Sequence, residues 1–398
     1  MSGLAVDSRS PPALETRTAR DCDFPVRRCG DIADIAPSAW DAILDRDDLQ
    51  ATHRFITVCQ RSGVEGASYR HLLIGRGGDT IAIATFCRME VRLELLSPSP
   101  LRAGVRWGRR WFPGLLRVPV AFCGLPVSFG QSCLRVRPGA DRAAIAAILA
   151  RELDTWADDA HAGLSCFKEF APEAEPVVRP LVSHGYFSAT SLPSCHLDIR
   201  WPTFGAYVGA MRAGYRRQVA ATLRARAAAG LDVRVVADFG PLCPQLFALY
   251  EQIMDRAPYQ LERLNLAFFE RLNADLGMES GAVLVEHGGR PLAAAILLYS
   301  PRVVTFLLAG IDYELNRRYQ AYPNLVIEVV AEAIRRGAQR LEMGQTSYDL
   351  KLRLGAVTTP RTLYLRHRGR LAHGLLRGAS RLLFPEAVVA SRRVHRQV

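Results

Sequence analysis

The chain has 398 residues, 49% of them hydrophobic and 23% charged, which is the balance of a globular protein long enough for two ordinary domains. No stretch reaches the roughly 18 to 20 uninterrupted apolar residues that a membrane span requires; the longest candidate, 292–311, is broken by Ser300-Pro301-Arg302. The net charge of +12, carried mostly by Arg and spread along the chain, suits an acidic substrate, a nucleic acid or an anionic membrane surface and chooses none of them, and a solvated Arg-rich surface explains it equally.

Residues 1–24, rich in Ser, Pro, Thr and Arg, show no apolar periodicity and no signal-peptide core. They read as a disordered tail, and a cytoplasmic location is expected. A first unit, 25–194, opens with a hairpin in which Gly77-Gly78 joins apolar runs at 72–74 and 81–83. A helix over 141–161, a strand at 164–167 and a helix ending in His184-Gly185 follow. A second unit, 195–367, begins with a strand at 195–199 and a long helix over 203–229 stopped by Gly230. A strand at 231–237 and helices at 243–257 and 266–276 come next, then strands at 281–287, 290–300 and 302–310, the first two joined by Gly288-Gly289. The pattern closes with a helix over 322–336 stopped by Gly337, a strand at 340–344, a short helix or turn at 346–353 and a strand at 362–366.

The first half repeats the later part of this order, hairpin for hairpin and helix for helix, with about 41 extra residues between 88 and 131. The expected fold is therefore α/β with α+β layering: two tandem units, each with a mixed central sheet and flanking helices. Within 88–131, the cluster Arg106-Trp107-Gly108-Arg109-Arg110-Trp111-Phe112 precedes an apolar run, and 368–398 reads as a basic amphipathic tail. Both segments can lie on an anionic bilayer, or be a basic loop beside a buried strand and a docked helix. The nine cysteines form no CxxC pair and no Cys/His cluster of zinc spacing, so buried thiols are expected and no metal.

The segment Leu341-Glu342-Met343-Gly344-Gln345-Thr346-Ser347-Tyr348-Asp349-Leu350-Lys351-Leu352-Arg353-Leu354-Gly355-Ala356 resembles the late strand and Tyr-x-x-Lys-x-x-x-Gly turn of FemAB-like and related GNAT-type acetyltransferase domains. Ala309-Gly310-Ile311-Asp312-Tyr313, Tyr322-Pro323-Asn324-Leu325 and Tyr215-Arg216-Arg217-Gln218 are similar to further stretches of those domains, so the resemblance covers about 205–366. It implies a tandem GNAT fold whose splayed central strands admit an acyl or aminoacyl donor and an amine acceptor. The donor it implies is acyl-CoA, such as acetyl-CoA, or an aminoacyl-tRNA. In acetyl-CoA-binding members a glycine-bearing loop before the helix cradles the pyrophosphate. Here Asn316-Arg317-Arg318-Tyr319-Gln320-Ala321-Tyr322-Pro323 has no glycine in that place.

Within that resemblance Lys351 is a candidate to neutralise a donor or acceptor phosphate, or a surface lysine beside Asp349. Tyr348, one helical turn earlier, is placed to donate to a leaving group or to pack. Asp312 and Glu342 are the carboxylates nearest the expected cleft and candidates to take a proton from an ammonium, or ordinary carboxylates, Glu342 facing solvent from its strand. Arg317, Arg318, Gln345 and Asn324 are the candidate donor-binding residues, and Tyr215, Arg216 and Arg217 make a basic helix face for an anionic substrate or for solvent. The expected function is N-acyl transfer from acyl-CoA or aminoacyl-tRNA to an amine of a small molecule or cell-envelope precursor. Two alternatives stand beside it: a FemAB-like aminoacyl-tRNA-dependent peptidoglycan peptide transferase, and a non-catalytic module that binds an anionic ligand. No DNA-binding signature is present.

Overall fold

The computed structural model describes residues 24–92, 111, 117–127, 130–257, 262–387 and 389–396. The N-terminal tail before Phe24, and the Arg/Trp cluster apart from Trp111, lie outside the described residues. Both glycine pairs form the hairpins that their chemistry calls for. Gly77 and Gly78 have φ of 58° and 93°, and Gly288 and Gly289 have 57° and 78°, the left-handed backbone that both central residues of a two-residue type I′ turn require.

These turns join β2 (Ser68–Arg76) to β3 (Asp79–Arg92) and β9 (Ser280–His287) to β10 (Arg290–Tyr299). The remaining strands are β1 (Val26–Cys29), β4 (Arg117–Cys123), β5 (Leu134–Val136), β6 (Leu164–Phe170), β7 (Phe187–Asp198), β8 (Leu231–Val236), β11 (Val303–Ile311), β12 (Arg340–Gly344) and β13 (Val357–His367). Among the described residues they build one sheet of 13 strands, in the order β1-β2-β3-β4-β6-β13-β7-β12-β11-β10-β9-β8 with β5 beside β3. The duplication read from the sequence is visible in it. A hairpin leads to a strand, a long helix and a strand parallel to the last one, giving β4 parallel to β6 in the first half and β11 parallel to β12 in the second.

The two halves exchange their final strands. β7, which ends the first half, pairs with β12 of the second, while β13, which ends the second, pairs with β6 of the first. β7 and β13 then pair with each other along most of their length. Residue 195, where the second unit was expected to begin, lies inside β7.

The principal helices are α1 (His53–Arg61), α2 (Arg142–Asp159), α3 (Ala213–Ala228), α4 (Cys243–Arg256), α5 (Leu266–Leu276), α6 (Tyr313–Tyr319), α7 (Ala321–Arg335), α8 (Tyr348–Arg353) and α9 (Arg370–Gly378). The stripe Leu325, Val326, Val329, Val330, Ala333 and Ile334 buries α7 against one face of the second half, and Ile145, Ile148, Leu149 and Leu153 bury α2 against the same face of the first. Each such fully buried Leu, Ile or Val stabilises the fold by roughly 1.5–3 kcal/mol. On the opposite face one apolar cluster runs through both halves, from Phe55 and Cys59 of α1 to Leu249 of α4 and Phe268 of α5.

The helix expected over 203–229 is two helices, Phe204–Ala210 and α3, with Met211 and Arg212 extended between them. The break is tertiary in origin. Met211 is fully buried and pairs with His395 of the C-terminal segment, whose Val394 carbonyl accepts the Arg212 N–H. The eight described cysteines are buried free thiols. No helix among the described residues is long and apolar enough to cross a membrane. α9 and the short helix Ser380–Leu383 after it leave Leu371, Leu375 and Leu382 at 75–87% exposure.

Candidate functional site

The parallel ladder of β11 and β12 consists of Val303↔Arg340, Val304↔Leu341 and Thr305↔Glu342. Beyond Thr305 the ladder stops. There the pairing of β11 with β10 skips Leu307, which makes a one-residue bulge, a feature that re-aims backbone and side chains. The first half has no such irregularity, since β3 and β4 pair without a break from Phe86↔Cys123 to Arg92↔Arg117. A helix seats itself directly over this region because β11 offers no side chain at Gly310: a Cβ there would lie 2.6 Å from Leu249 Cβ of α4.

Glu342 stands at the end of that ladder, its side chain 12% exposed. Leu341 and Met343 point into the core under α7, so strand alternation turns Glu342 to the other face. Burial raises its pKa above the ordinary carboxylate value, and the Arg340 and Arg361 cations oppose that rise. In β7 the residue opposite is His196, whose pKa burial lowers.

Lys351 and Tyr348 lie on the α7 side. The Lys351 ammonium is buried, donates to the carbonyls of Met343 and Thr346, and sits 5.9 Å from the centre of the Phe306 ring. Burial pulls its pKa down to about 8. Tyr348 Oη donates to the Pro193 carbonyl at 2.8 Å. Together they fasten α8 to β12 and β7. Asp312 is further away, at the end of β11. Its Oδ1 caps α6 by accepting from Glu314 and Leu315 N–H, and its Oδ2 accepts from Arg290 at 2.7 Å. The fold thus does not bring the four candidate catalytic residues into one cluster.

Asn324 is fully buried in α7, its Nδ2 donating to the Gln320 carbonyl. Arg317 and Arg318 are exposed on α6, and Arg318 lies over the Tyr319 ring. The start of α7 does not fit a pyrophosphate. Tyr322 N–H is taken by Asn316 Oδ1 at 2.8 Å, and Pro323 has none to offer. The start of α2 is equally closed, because Asp141 Oδ1 accepts from both Ala143 and Ala144 N–H and adds a negative charge. Tyr215 is half-buried against α7's core, Arg216 donates to the Gly209 and Met211 carbonyls, and Arg217 is exposed.

Gln345 lies at the strand exchange, where its Nε2 donates to the Leu192 carbonyl. Beside it are residues that the sequence reading did not single out. The β7–β13 ladder skips at Pro360, and the residue after the skip, Arg361, is turned inward and 8% exposed. Gly130, at φ +80°, brings its loop so near that a Cβ would lie 3.0 Å from Ser194 Cβ, 3.3 Å from Arg361 Nε and 3.5 Å from Gln345 Cδ. Arg361 loses proton affinity to burial and regains it from the carboxylates of Glu342, Glu169 and Glu173, so it links the second half's carboxylate to two of the first half. The available signals were a proline inside a strand, which marks a bulge, and the charged pair Lys168-Glu169 inside the otherwise apolar β6.

Residues 211–352 match the acetyltransferase (GNAT) domain family. A stretch of 268 residues, 65% of this chain, is 28% identical to a Mycobacterium tuberculosis protein named putative 8-amino-7-oxononanoate synthase 2, found in strains CDC 1551 / Oshkosh and ATCC 25618 / H37Rv. This chain spans about a third (34%) of that protein's length. Among solved structures, FemX is similar in fold, with a TM-score of 0.57 at 11% identity over 88% of this chain and 100% of that one. So is a tandem GNAT protein from the clavulanic acid biosynthesis pathway, with a TM-score of 0.52 at 11% identity over 87% and 99%.

Proposed function

We propose that this chain, whose residues 211–352 match the acetyltransferase (GNAT) domain family and whose fold is similar to those of FemX and a tandem GNAT protein, is an acyltransferase that moves an acyl or aminoacyl group from an activated carrier onto an amine, with Glu342 receiving the amine's proton. The observation that carries this reading is a coincidence that, among the described residues, the second half shows and the first does not. The β11 bulge at Leu307 and a largely buried carboxylate with a raised pKa meet where the parallel strands part.

In this reading the acceptor nitrogen attacks the donor's acyl carbon. A backbone N–H at the bulge steadies the oxyanion as the C–N bond forms and the carrier's thiolate or alkoxide departs. Glu342 accepts the proton that the ammonium gives up, a task suited to a carboxylate whose pKa is lifted toward the working pH. Holding donor and acceptor together supplies most of the remaining acceleration. The donor is not gripped by a backbone pyrophosphate cradle, given how the starts of α2 and α7 are occupied. That favours a carrier recognised by its acyl or aminoacyl end, such as aminoacyl-tRNA, over one recognised by the coenzyme A phosphates.

Parallel assays with acetyl-CoA and with charged tRNA, each with an amine panel, test the proposal. Transfer from either donor that is lost in Glu342→Gln supports it. Transfer that survives the substitution unchanged removes Glu342 from the role.

A second reading concerns location. The outward Leu371, Leu375 and Leu382 alternate with Arg370, Arg377 and Arg381, a pattern suited to the surface of an anionic bilayer.

A further inference from the structure

β6 carries a charged pair, Lys168-Glu169, just before its last residue, and the two face each other at 3.9 Å while leaving polar atoms without hydrogen bonds among the described residues. Lys168 is 5% exposed and its Nζ has no hydrogen-bond partner among the described residues. Its nearest ion-paired carboxylate oxygen, Glu169 Oε2, is 3.9 Å away, the Phe122 ring centre is at 4.8 Å, and the Glu262 carboxyl, whose pKa burial raises to about 7, also feels its charge. Glu169 is 8% exposed, and the same Oε2 has no hydrogen-bond donor. Arg361 reaches the same place from β13, 8% exposed, with neither Nε nor Nη1 satisfied. Burying an ion without partners costs several kcal/mol, and native interiors satisfy nearly all of their buried polar atoms. Glu169 and Arg361, which line one cavity, mark a place where something else supplies the partners.

A cavity of about 370 Å³ lies there, lined by Glu169, Glu173 and Arg361 together with Gly130, Ser132 and Phe170. Its other arginine, Arg135, is already held by Asp48 at 2.6 Å, which leaves Arg361 as the cation available to an occupant among the described lining residues. Gly130, at φ +80°, borders the space and lets its loop pass beside Arg361.

We propose that this cavity binds a small free amino acid, or a molecule of that chemistry: its acid group meets the unsatisfied Arg361 guanidinium and its ammonium meets Glu169 and Glu173. The lining has one open cation and two carboxylates, which complement a zwitterion and penalise a simple acid or a simple amine. A cavity of this volume falls in the range of small-ligand sites. A charge-assisted contact at each end accounts for the unsatisfied Arg361 and Glu169 atoms at the cavity. The inference deepens the acyltransferase reading, on which it rests for its function, by naming the acceptor class: an amine that also carries an acid. Arg361 also feels the charge of Glu342, the carboxylate assigned to the proton.

The test is calorimetric titration of the full chain with the proteinogenic amino acids, β-alanine, acetate, propionate and ethylamine. At least one zwitterion is expected to bind, at least tenfold more tightly than every acid or amine that lacks the second group. Glu169→Gln and Arg361→Gln are each expected to weaken it tenfold or more, with circular dichroism confirming that the variants are folded. The comparison among ligands on the unaltered protein stands even where a variant does not fold. No binding by any zwitterion, equal binding of acetate or ethylamine, or affinity untouched by both substitutions overturns the site. Acyl-transfer assays separate this outcome from the broader reading. Zwitterion binding without transfer from any donor keeps the cavity and removes the acyltransferase reading, whereas transfer to amines without an acid group, indifferent to Arg361→Gln, does the reverse.

Discussion

Gly310 of β11 lies directly beneath Leu249 of α4, with 2.6 Å between the Leu249 Cβ and the position a Gly310 Cβ would take, and 2.9 Å between that position and the Tyr250 backbone nitrogen. The obstacle includes helix backbone, so no rotamer change relieves it. Gly310→Ala is expected to force α4 off the sheet at a cost of about 1–3 kcal/mol. A urea titration that shows no loss of stability would mean that α4 is free to move. Because α4 roofs the parting strands, transfer activity should fall further than stability alone explains.

In the proposed role, Glu342 sets the acidic side of the pH profile. It works deprotonated, and burial raises its pKa, so kcat/KM is expected to rise with pH through a value above the ordinary carboxylate range. Glu342→Gln should cost roughly 10²- to 10⁴-fold and abolish that limb. Stability runs the opposite way: a carboxyl with a raised folded pKa holds its proton longer in the folded state, and its contribution is lost as pH rises through that value. A full profile of rate and melting temperature against pH distinguishes the two.

Lys351→Met removes the donor shared by two carbonyls, Met343 and Thr346. With buried acceptors left unsatisfied, a loss of about 1–3 kcal/mol is expected, and Tyr348→Phe should cost less because it frees a single carbonyl. Denaturant midpoints measure both. A stable Lys351→Met protein that has lost transfer would instead put the ammonium on the donor.

His71 is fully buried between Thr85 and Gln60, beside Trp40, and burial pulls its pKa down to about 4 from 6.5. The unfolded chain therefore binds a proton between those values that the folded chain refuses, and stability is expected to fall as pH drops from 6.5 toward 4. His71→Gln should make the melting temperature less steep across that window.

The exposed leucines of the C-terminal segment predict pelleting with vesicles that contain anionic phospholipid. Leu371→Ser, Leu375→Ser and Leu382→Ser together should abolish it, and sedimentation of protein with and without vesicles reads the result.

Elements whose causes are local were legible in the sequence. Two consecutive glycines between apolar runs admit little but a tight hairpin, and the stripe from Leu325 to Ile334 defines α7 by its period alone. The break at Met211 was not legible, because its cause is a pairing with His395, 184 residues away in the chain. Lys351 illustrates the limit for side chains. Its place after a strand is readable, but the two carbonyls that hold it are arranged by a turn whose residue Ser347 has φ of 56°. Arg361 reads as a strand arginine facing water until Gly130, from the other half, is brought against it. The strand exchange itself leaves no trace in either repeat, since both copies carry the same succession of elements whichever neighbour their last strand chooses.

That exchange has a consequence for how the chain comes into being. β6 cannot acquire its neighbour β13 until residues 357–367 have been made, so on the ribosome the first half waits, one edge of its sheet unpaired, through nearly the whole of the second. Two copies of one fold have become a protein that must be finished before either copy is complete.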